Sequence, residues 1–115
     1  MSSEQTDHEK IWKEFSDAVN MTPSALEKWL KTEESKEAGW SGEGKSETVG
    51  HKSGRRIVEI KHKSKSELTN DDFAHMKKVI GYVHRHVAQG GPKEDVENST
   101  WRHSLMNWGH DPLKD

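Results

Sequence analysis

The stretch that decides the fold is LTNDDFAHMKKVIGYVHRHVAQ, residues 68–89. Large apolar residues recur in it at spacings of three and four, the period of an α-helix with one buried face; they are Phe73, Met76, Ile80, Val83 and Val87. The stretch opens with a capping box formed by Thr69 and Asp72, and the breaker Gly90-Gly91-Pro92 follows it. We therefore predict a helix of about five turns at the centre of the molecule.

Segments on both sides of this helix show the same period. Residues 7–20, with Asp7 in the N-cap position, and residues 23–35 each place apolar side chains on one face. A third segment over 53–65 is apolar on one side and basic on the other, and Ser99 can cap a last short helix. No segment alternates like a β-strand over more than a few residues. We predict an all-α domain of four or five helices, with the helices over 23–35 and 53–65 packed across the central one.

Length and composition allow one small domain and exclude a large multidomain enzyme. The chain has 115 residues, of which 33% are charged and 29% hydrophobic. A net charge of only -2, together with five tryptophans and four methionines, argues against disorder of the whole chain. We predict a disordered tail over 1–6, a helical domain over 7–112 with a flexible loop at about 38–50, and a tail over 113–115.

Several classes of protein are excluded by what the sequence lacks. There is no cysteine, so a disulfide framework, a thiol nucleophile and a thiolate metal site are all impossible. The N-terminal MSSEQTDHEK has no apolar segment of the kind found in signal peptides, and no run of 18 apolar residues occurs. We therefore expect an intracellular protein, in the cytoplasm or, in a eukaryote, the nucleus, with no membrane partner.

No motif predicts catalysis. The loop GWSGEGKS, residues 39–46, matches the spacing of a phosphate-binding loop, but no buried strand precedes it and another glycine-bearing loop follows. No serine lies in a G-x-S-x-G elbow. The eight histidines lack the spacing of metal ligands, and His84 and His86 project from different sides of their helix. We predict no enzyme activity, no catalytic residue, no metal site and no cofactor.

Charge is segregated along the chain. Residues 48–91 carry nine basic and four acidic residues, a net charge of +5, while residues 1–47 sum to -5 and residues 92–115 to -2. A basic helix face can bind phosphates by counterion release, without reading base sequence. The predicted nucleic-acid-binding residues are Lys52, Arg55, Arg56, Lys61, Lys63 and Lys65, and Lys77, Lys78 and Arg85 would extend them.

Two other interpretations remain open. The basic face is also consistent with a solvated surface partly neutralised by Glu59, because the sequence pI of about 6.4 lies below that of dedicated nucleic-acid-binding domains. The chain is alternatively a protein-interaction module whose anchors are Trp40, Trp101, Leu105 and Trp108. An open cluster of cations favours nucleic acid, and a large exposed apolar patch favours a protein partner.

The helical wheel also predicts that the basic side chains are dispensable for folding. It places Arg55, Arg56 and Lys63 away from Ile57 and Ile60, which share the apolar side. Replacing the three basic residues with serine is therefore expected to leave the fold intact.

Four stretches follow one another in a distinctive order, namely MTPSALEKWLKTEES, SGRRIVEI, LTNDDFAHMKKVIGYVHRHVAQ and WRHSLMNWGHDP. Together they resemble the domain of unknown function family 3140, over roughly residues 10–114 of this chain. The resemblance implies a short intracellular protein of the kind found in bacteria and fungi. Some members are labelled DNA-binding without a mechanism, and the resemblance assigns no catalytic or binding residue.

The capping box at the start of the central helix gives a first prediction. Thr69→Ala removes the acceptor for a backbone N–H of the first turn, so we expect the free energy of unfolding to fall by about 1 kcal/mol. Thermal unfolding measures the effect. An unchanged midpoint would show that Thr69 caps no helix.

Overall fold

The computed structural model describes residues 3–38 and 48–114, and within them it contains six α-helices and no β-strand. The helices are α1 (Ser3–Ala18), α2 (Pro23–Leu30), α3 (Glu33–Glu37), α4 (Val49–His62), α5 (Asn70–Gln89) and α6 (Thr100–Asn107). Two short 3₁₀ turns, Lys65–Glu67 and Val96–Asn98, precede α5 and α6. The all-α class and the long helix over residues 70–89 are therefore as predicted. No helix within these ranges is long and apolar enough to cross a membrane.

Each helix from α2 to α6 begins at a threonine or serine. The side-chain oxygen of this N-cap residue accepts a hydrogen bond from a backbone N–H of the first turn, which would otherwise lack a partner. The capping residues are Thr22, Thr32, Thr48, Thr69 and Ser99. Thr69 and Asp72 form the reciprocal capping box, so this prediction is confirmed.

Cap chemistry also explains why the predicted helix over 23–35 is in fact two helices. The Thr32 hydroxyl oxygen accepts a hydrogen bond from the Ser35 N–H at 3.1 Å. A second helix, α3, therefore begins after a gap of two residues from the end of α2. The expectation of one continuous helix is wrong here. The described residues form six α-helices where four or five were expected.

Two other helix starts differ from the sequence prediction. α1 begins at Ser3, inside the predicted tail over 1–6, so Asp7 lies within the helix and is not its N-cap. α4 begins at Val49 because Thr48 caps it, so the end of the predicted loop at about 38–50 is helical. Trp40 and the GWSGEGKS motif lie outside the described residues.

The helices form two packed pairs joined by α6. α1 packs along α5, α2 packs along α4, and α6 contacts α2, α3, α4 and α5. The prediction that the segment 23–35 packs across the central helix is therefore wrong, because α2 lies against α4 and α6 instead. Helices α1, α4, α5 and α6 each place fully buried side chains in one shared core. These side chains include Phe15, Ile57, Ile60, Met76, Val79 and Leu105.

A buried asparagine attaches α6 to α2 and α3. Asn107 is fully buried, and its Oδ1 accepts hydrogen bonds from the Trp29 Nε1–H at 2.8 Å and from the Ser35 hydroxyl. Its Nδ2 donates to the Ser35 carbonyl oxygen at 2.9 Å. Because a buried amide without partners destabilises the fold, these three bonds hold the helices in one arrangement.

The segment after α6 returns to the end of α1. Gly109 adopts a positive φ of 80°, and its carbonyl oxygen accepts a hydrogen bond from the Met21 N–H at 3.1 Å. The Asp111 N–H donates to Asn20 Oδ1 at 2.8 Å, and the Asn20 side chain donates in return to the Asp111 carbonyl oxygen at 3.0 Å. Asp111 also accepts two hydrogen bonds from the guanidinium of Arg102, at 3.0 and 3.1 Å. The C-terminal segment is therefore fastened to the α1–α2 connection.

Two glycines predict opposite effects of the same substitution. At Gly54 of α4, an added Cβ would lie 2.5 Å from the Asn107 carbonyl oxygen and 2.7 Å from a methyl group of Leu30, so we expect Gly54→Ala to destabilise by about 1–3 kcal/mol. At Gly81 of α5 the nearest atom is 4.0 Å away, at the end of the Arg85 side chain. Gly81→Ala is therefore expected to stabilise by about 0.5–1 kcal/mol, since alanine restricts the unfolded chain.

Chemical unfolding of both variants beside the unchanged protein measures the two effects. An unchanged free energy of unfolding in Gly54→Ala would contradict the close approach of α4 to α6, and destabilisation by Gly81→Ala would contradict the open space at that position.

Candidate nucleic-acid interface

The structure divides the six predicted phosphate-binding residues among different surroundings. Lys52, Arg55 and Arg56 line one open cleft of about 340 Å³ between α4 and α5. Lys63 lies beside a buried carboxylate, Lys61 lies over aromatic rings, and Lys65 lines a separate, smaller pocket. The predicted residues therefore do not form one continuous face.

We call the first site the basic cleft and define it by its lining residues, Val49, Lys52, Ser53, Arg55, Arg56, Glu59, His75, Lys78 and Trp108. Those on α4 recur at spacings of three and four, so they share one side of the helix. His75 and Lys78 lie three residues apart on α5, and Trp108 follows α6. Four cations and one carboxylate give the cleft a net charge of +3 when His75 is neutral.

A serine and a histidine lie side by side in the basic cleft. The Ser53 hydroxyl oxygen and His75 Nε2 are 2.9 Å apart, a hydrogen-bond distance. Burial lowers the pKa of His75 to about 4, and the positive charges of Arg56 and Lys78 act in the same direction. His75 is therefore neutral at pH 7, and the cleft presents an uncharged hydrogen-bonding pair among its cations.

Rings stack behind this pair and fix its position. The His75 ring lies nearly parallel to Trp108, with 6.3 Å between centroids, and Trp108 stacks on Tyr82 at 4.3 Å. Tyr82 stacks in turn on His86 at 4.0 Å. Such packing restricts side-chain motion, so His75 is held in place before any ligand arrives.

Lys63 and Arg56 form ion pairs with the carboxylate of Asp72. The Lys63 Nζ lies 2.8 Å from Asp72 Oδ2, and the Arg56 Nη2 lies 3.4 Å from Oδ1. Burial opposes ionisation of Asp72, but hydrogen bonds from Lys63 and from the Thr69 N–H outweigh it, so the pKa of this carboxyl lies below its ordinary value. Asp72 therefore remains charged at neutral pH, chiefly through Lys63 and the Thr69 N–H.

This ion-pair cluster argues against the expectation that Arg56 and Lys63 are dispensable for folding. Removing them leaves a buried carboxylate with fewer partners, so their replacement destabilises the fold. The buried Nε–H of Arg56 has no hydrogen-bond partner within the described part of the chain. The Arg56 side chain is nevertheless 42% exposed, so it reaches both Asp72 and the basic cleft.

Lys61 and Lys65 lie outside the basic cleft. The Lys61 Nζ is 5.5 Å from the centre of the Trp12 ring and 5.2 Å from that of Phe15, and burial lowers its pKa. Lys65 is exposed and lines a pocket of about 240 Å³ together with Trp12 and Phe73. Lys61 therefore stabilises the α1–α4 contact through cation–π attraction.

Of the three residues predicted to extend the basic face, Lys78 lines the cleft, whereas Lys77 and Arg85 do not. Sequence reasoning missed Ser53, His75 and Trp108 as cleft residues. The spacing of three residues between His75 and Lys78 indicates that they share one face of α5. This spacing points to a binding site only when α4 is known to lie opposite that face.

The proposed anchors that lie within the described residues, Trp101, Leu105 and Trp108, are turned inward. Leu105 is fully buried and Trp108 is 9% exposed. The Trp101 Nε1–H donates to the His86 carbonyl oxygen at 2.9 Å, and its ring packs against Gly91. These three side chains therefore fasten α6 to α5 and α4 rather than forming an exposed apolar patch. Among residues 3–38 and 48–114, no three acidic or histidine side chains are grouped to hold a metal ion.

Comparison with known proteins identifies a family but no activity. The sequence model of a family described as "Protein of unknown function (DUF3140)" matches residues 14–106, which is most of the chain. No curated protein and no solved structure matches significantly. The family description names no ligand, so any function has to be argued from the geometry above.

The Asp72 cluster predicts a pH-dependent contribution to stability. We expect Lys63→Ala to destabilise by about 1–2 kcal/mol at pH 7, because it removes a hydrogen bond to a buried charge. Asp72 has a folded pKa below its unfolded value of about 3.9, so its contribution is complete above pH 4 or so and is lost as the pH falls through the folded pKa. The difference between Lys63→Ala and the unchanged protein should therefore shrink in acid.

Urea unfolding over a series of pH values measures this difference, and Lys65→Ala is the matched control, since Lys65 is an exposed lysine without a carboxylate partner among the ion pairs that the structure shows. A Lys63→Ala effect that does not change between pH 7 and the lowest pH at which both proteins are folded would contradict an ion pair with Asp72.

Proposed function

The chain belongs to the DUF3140 family, and we propose that it is a non-enzymatic accessory protein that binds DNA or RNA through phosphate contacts in the basic cleft. The observation that supports this proposal is the meeting of four cations from two helices in one open concavity. Polyanions displace condensed counterions when such a surface neutralises their phosphates, which provides affinity without base recognition.

The identities of the cations favour phosphate as the ligand. Lys52 and Lys78 are exposed ammonium groups on opposite walls, and Arg55 supplies a guanidinium, which can donate two parallel hydrogen bonds to phosphate oxygens. Among the described residues that line the cleft, Glu59 is the one carboxylate, so attraction outweighs repulsion there. Binding through these groups would be sensitive to salt and tolerant of sequence.

The charge distribution along the chain also supports binding of a polyanion. Residues 48–91, which supply most of the cleft, have a net charge of +5. This positive charge attracts a polyanion during its approach to the cleft. This role requires an intracellular location, in the cytoplasm or nucleus.

The proposal predicts a specific change in salt dependence. The double variant Lys52→Ser/Lys78→Ser removes two exposed cleft ammonium groups, and Lys13→Ser/Lys77→Ser removes two exposed ammonium groups that do not line the cleft. Fluorescence anisotropy with labelled duplex DNA should show weaker binding by the first variant. The slope of log affinity against log salt should decrease by roughly 0.9 for each phosphate that the variant no longer neutralises, while the second variant keeps the original slope.

Circular dichroism has to show first that both variants are folded. Equal weakening by the two variants would assign binding to overall charge and not to the cleft. No binding by the unchanged protein at about 50 mM salt and pH 6, where attraction is strongest, would refute the proposed function.

A further inference from the structure

We propose that the basic cleft binds a terminal phosphate monoester, presented by the end of a nucleic-acid strand or by a free nucleotide. The inference rests on the proposed function and specifies which phosphate the site takes. Three features of the cleft carry it: its size, its excess of positive charge, and the hydrogen-bonding pair Ser53 and His75.

The size of the cleft suits one nucleotide-sized group. Its volume of about 340 Å³ falls at the lower end of the range for small-ligand sites, roughly 300–1,000 Å³. A duplex presents its phosphates on a convex surface, and such a surface contacts the rim of a concave site more readily than its interior. A strand end or a free nucleotide can place its phosphate inside.

The charge of the cleft matches a dianion better than a monoanion. A phosphate monoester carries about -1.5 to -2 charges at pH 7, whereas each internal phosphodiester carries one. Arg56 is paired with Asp72, and the other three cations, Lys52, Arg55 and Lys78, outnumber the carboxylate of Glu59 by two charges among the described lining residues. Because Coulomb attraction scales with the product of the charges, a monoester gains almost twice as much from this surplus.

The hydrogen-bonding pair adds a proton-dependent element. His75 is faced by Arg56 of α4 and by Lys78 and Asp72 of α5, and it shares a hydrogen bond with Ser53. Lys52, Arg55 and Glu59 are the other charged groups of the cleft. Burial is the main cause of the lowered pKa of His75, and the positive field of Arg56 and Lys78 adds to it. A bound phosphate offsets this field, so a ligand beside His75 raises its pKa.

The first experiment compares strand ends. Single-stranded DNA of one sequence is prepared with a 5′-phosphate, with a 3′-phosphate, or with hydroxyl groups at both ends, and affinities are measured by competition anisotropy. A phosphorylated end should bind about tenfold more tightly or better, as expected for a charge-assisted hydrogen bond. Lys78→Ser should abolish most of this advantage, and the neighbouring control Lys77→Ser should keep it, because Lys77 does not line the cleft.

The second experiment locates the ligand. NMR titration of the histidine ring protons with and without saturating adenosine monophosphate should show the pKa of His75 rising above about 4, because the anionic phosphate offsets the field of Arg56 and Lys78 while the burial remains. His84 is exposed on α5 and does not line the cleft, so its titration is the internal control. Inorganic phosphate is titrated in parallel to distinguish the phosphate group from the nucleoside.

The outcomes separate this inference from the function on which it rests. Equal binding of phosphorylated and hydroxyl-ended strands, weakened in both cases by Lys78→Ser, would support nucleic-acid binding and overturn the monoester site. Binding of adenosine monophosphate without binding of any strand would refute the proposed function and support the site, with a free nucleotide as its ligand. Equal competition by an oligoglutamate peptide of the same charge, or an unchanged His75 titration, would overturn the inference.

Discussion

The arrangement of this protein depends on the burial of one amide. Asn107 has no contact with solvent, so its oxygen and nitrogen are satisfied only when Trp29 and Ser35 meet it. This requirement fixes α6 against α2 and α3, and the next residue in the chain, Trp108, then enters the basic cleft. A structural hydrogen-bond network and the candidate binding site are therefore consecutive in sequence, and neither can move without the other.

The cleft and the stability of α5 share a residue. Arg56 lines the basic cleft and also approaches Asp72, the carboxylate that completes the capping box of α5. A site built from such a residue is held rigidly, because the ion pair restricts the guanidinium. The same connection means that a ligand drawing Arg56 toward itself weakens its contact with Asp72, so binding and helix stability are linked.

The sequence predicted those features that depend on local chemistry. The capping box at Thr69 and the apolar period over residues 70–89 are contained in neighbouring residues, so the long helix was predictable. The division at Thr32 was missed because residues 31–37, KTEESKE, contain no apolar side chain that could mark a new buried face; the local cap at Thr32 is reinforced by the hydrogen bond between Ser35 and Asn107, which are far apart in sequence. Lys61 and Lys63 look alike in sequence, yet their partners differ. Lys61 lies over Trp12 and Phe15, whereas Lys63 pairs with Asp72. The positions of α1 and α5 determine which partner each lysine meets. The net positive charge of residues 48–91 was predictable because it depends on composition alone, whereas the cleft that includes His75 depends on how α4 and α5 pack.

The order of the helices along the chain has a consequence for synthesis on the ribosome. α6 follows the other five helices, yet it supplies Leu105 to the core and the amide that joins α2 and α3, across separations of 72 to 78 residues. The nascent chain can form its individual helices as they emerge, but it cannot close the core before Asn107 has left the exit tunnel. Until then the apolar faces of α2 and α4 stay partly uncovered, which makes the incomplete polypeptide a natural client for chaperones that bind exposed hydrophobic segments.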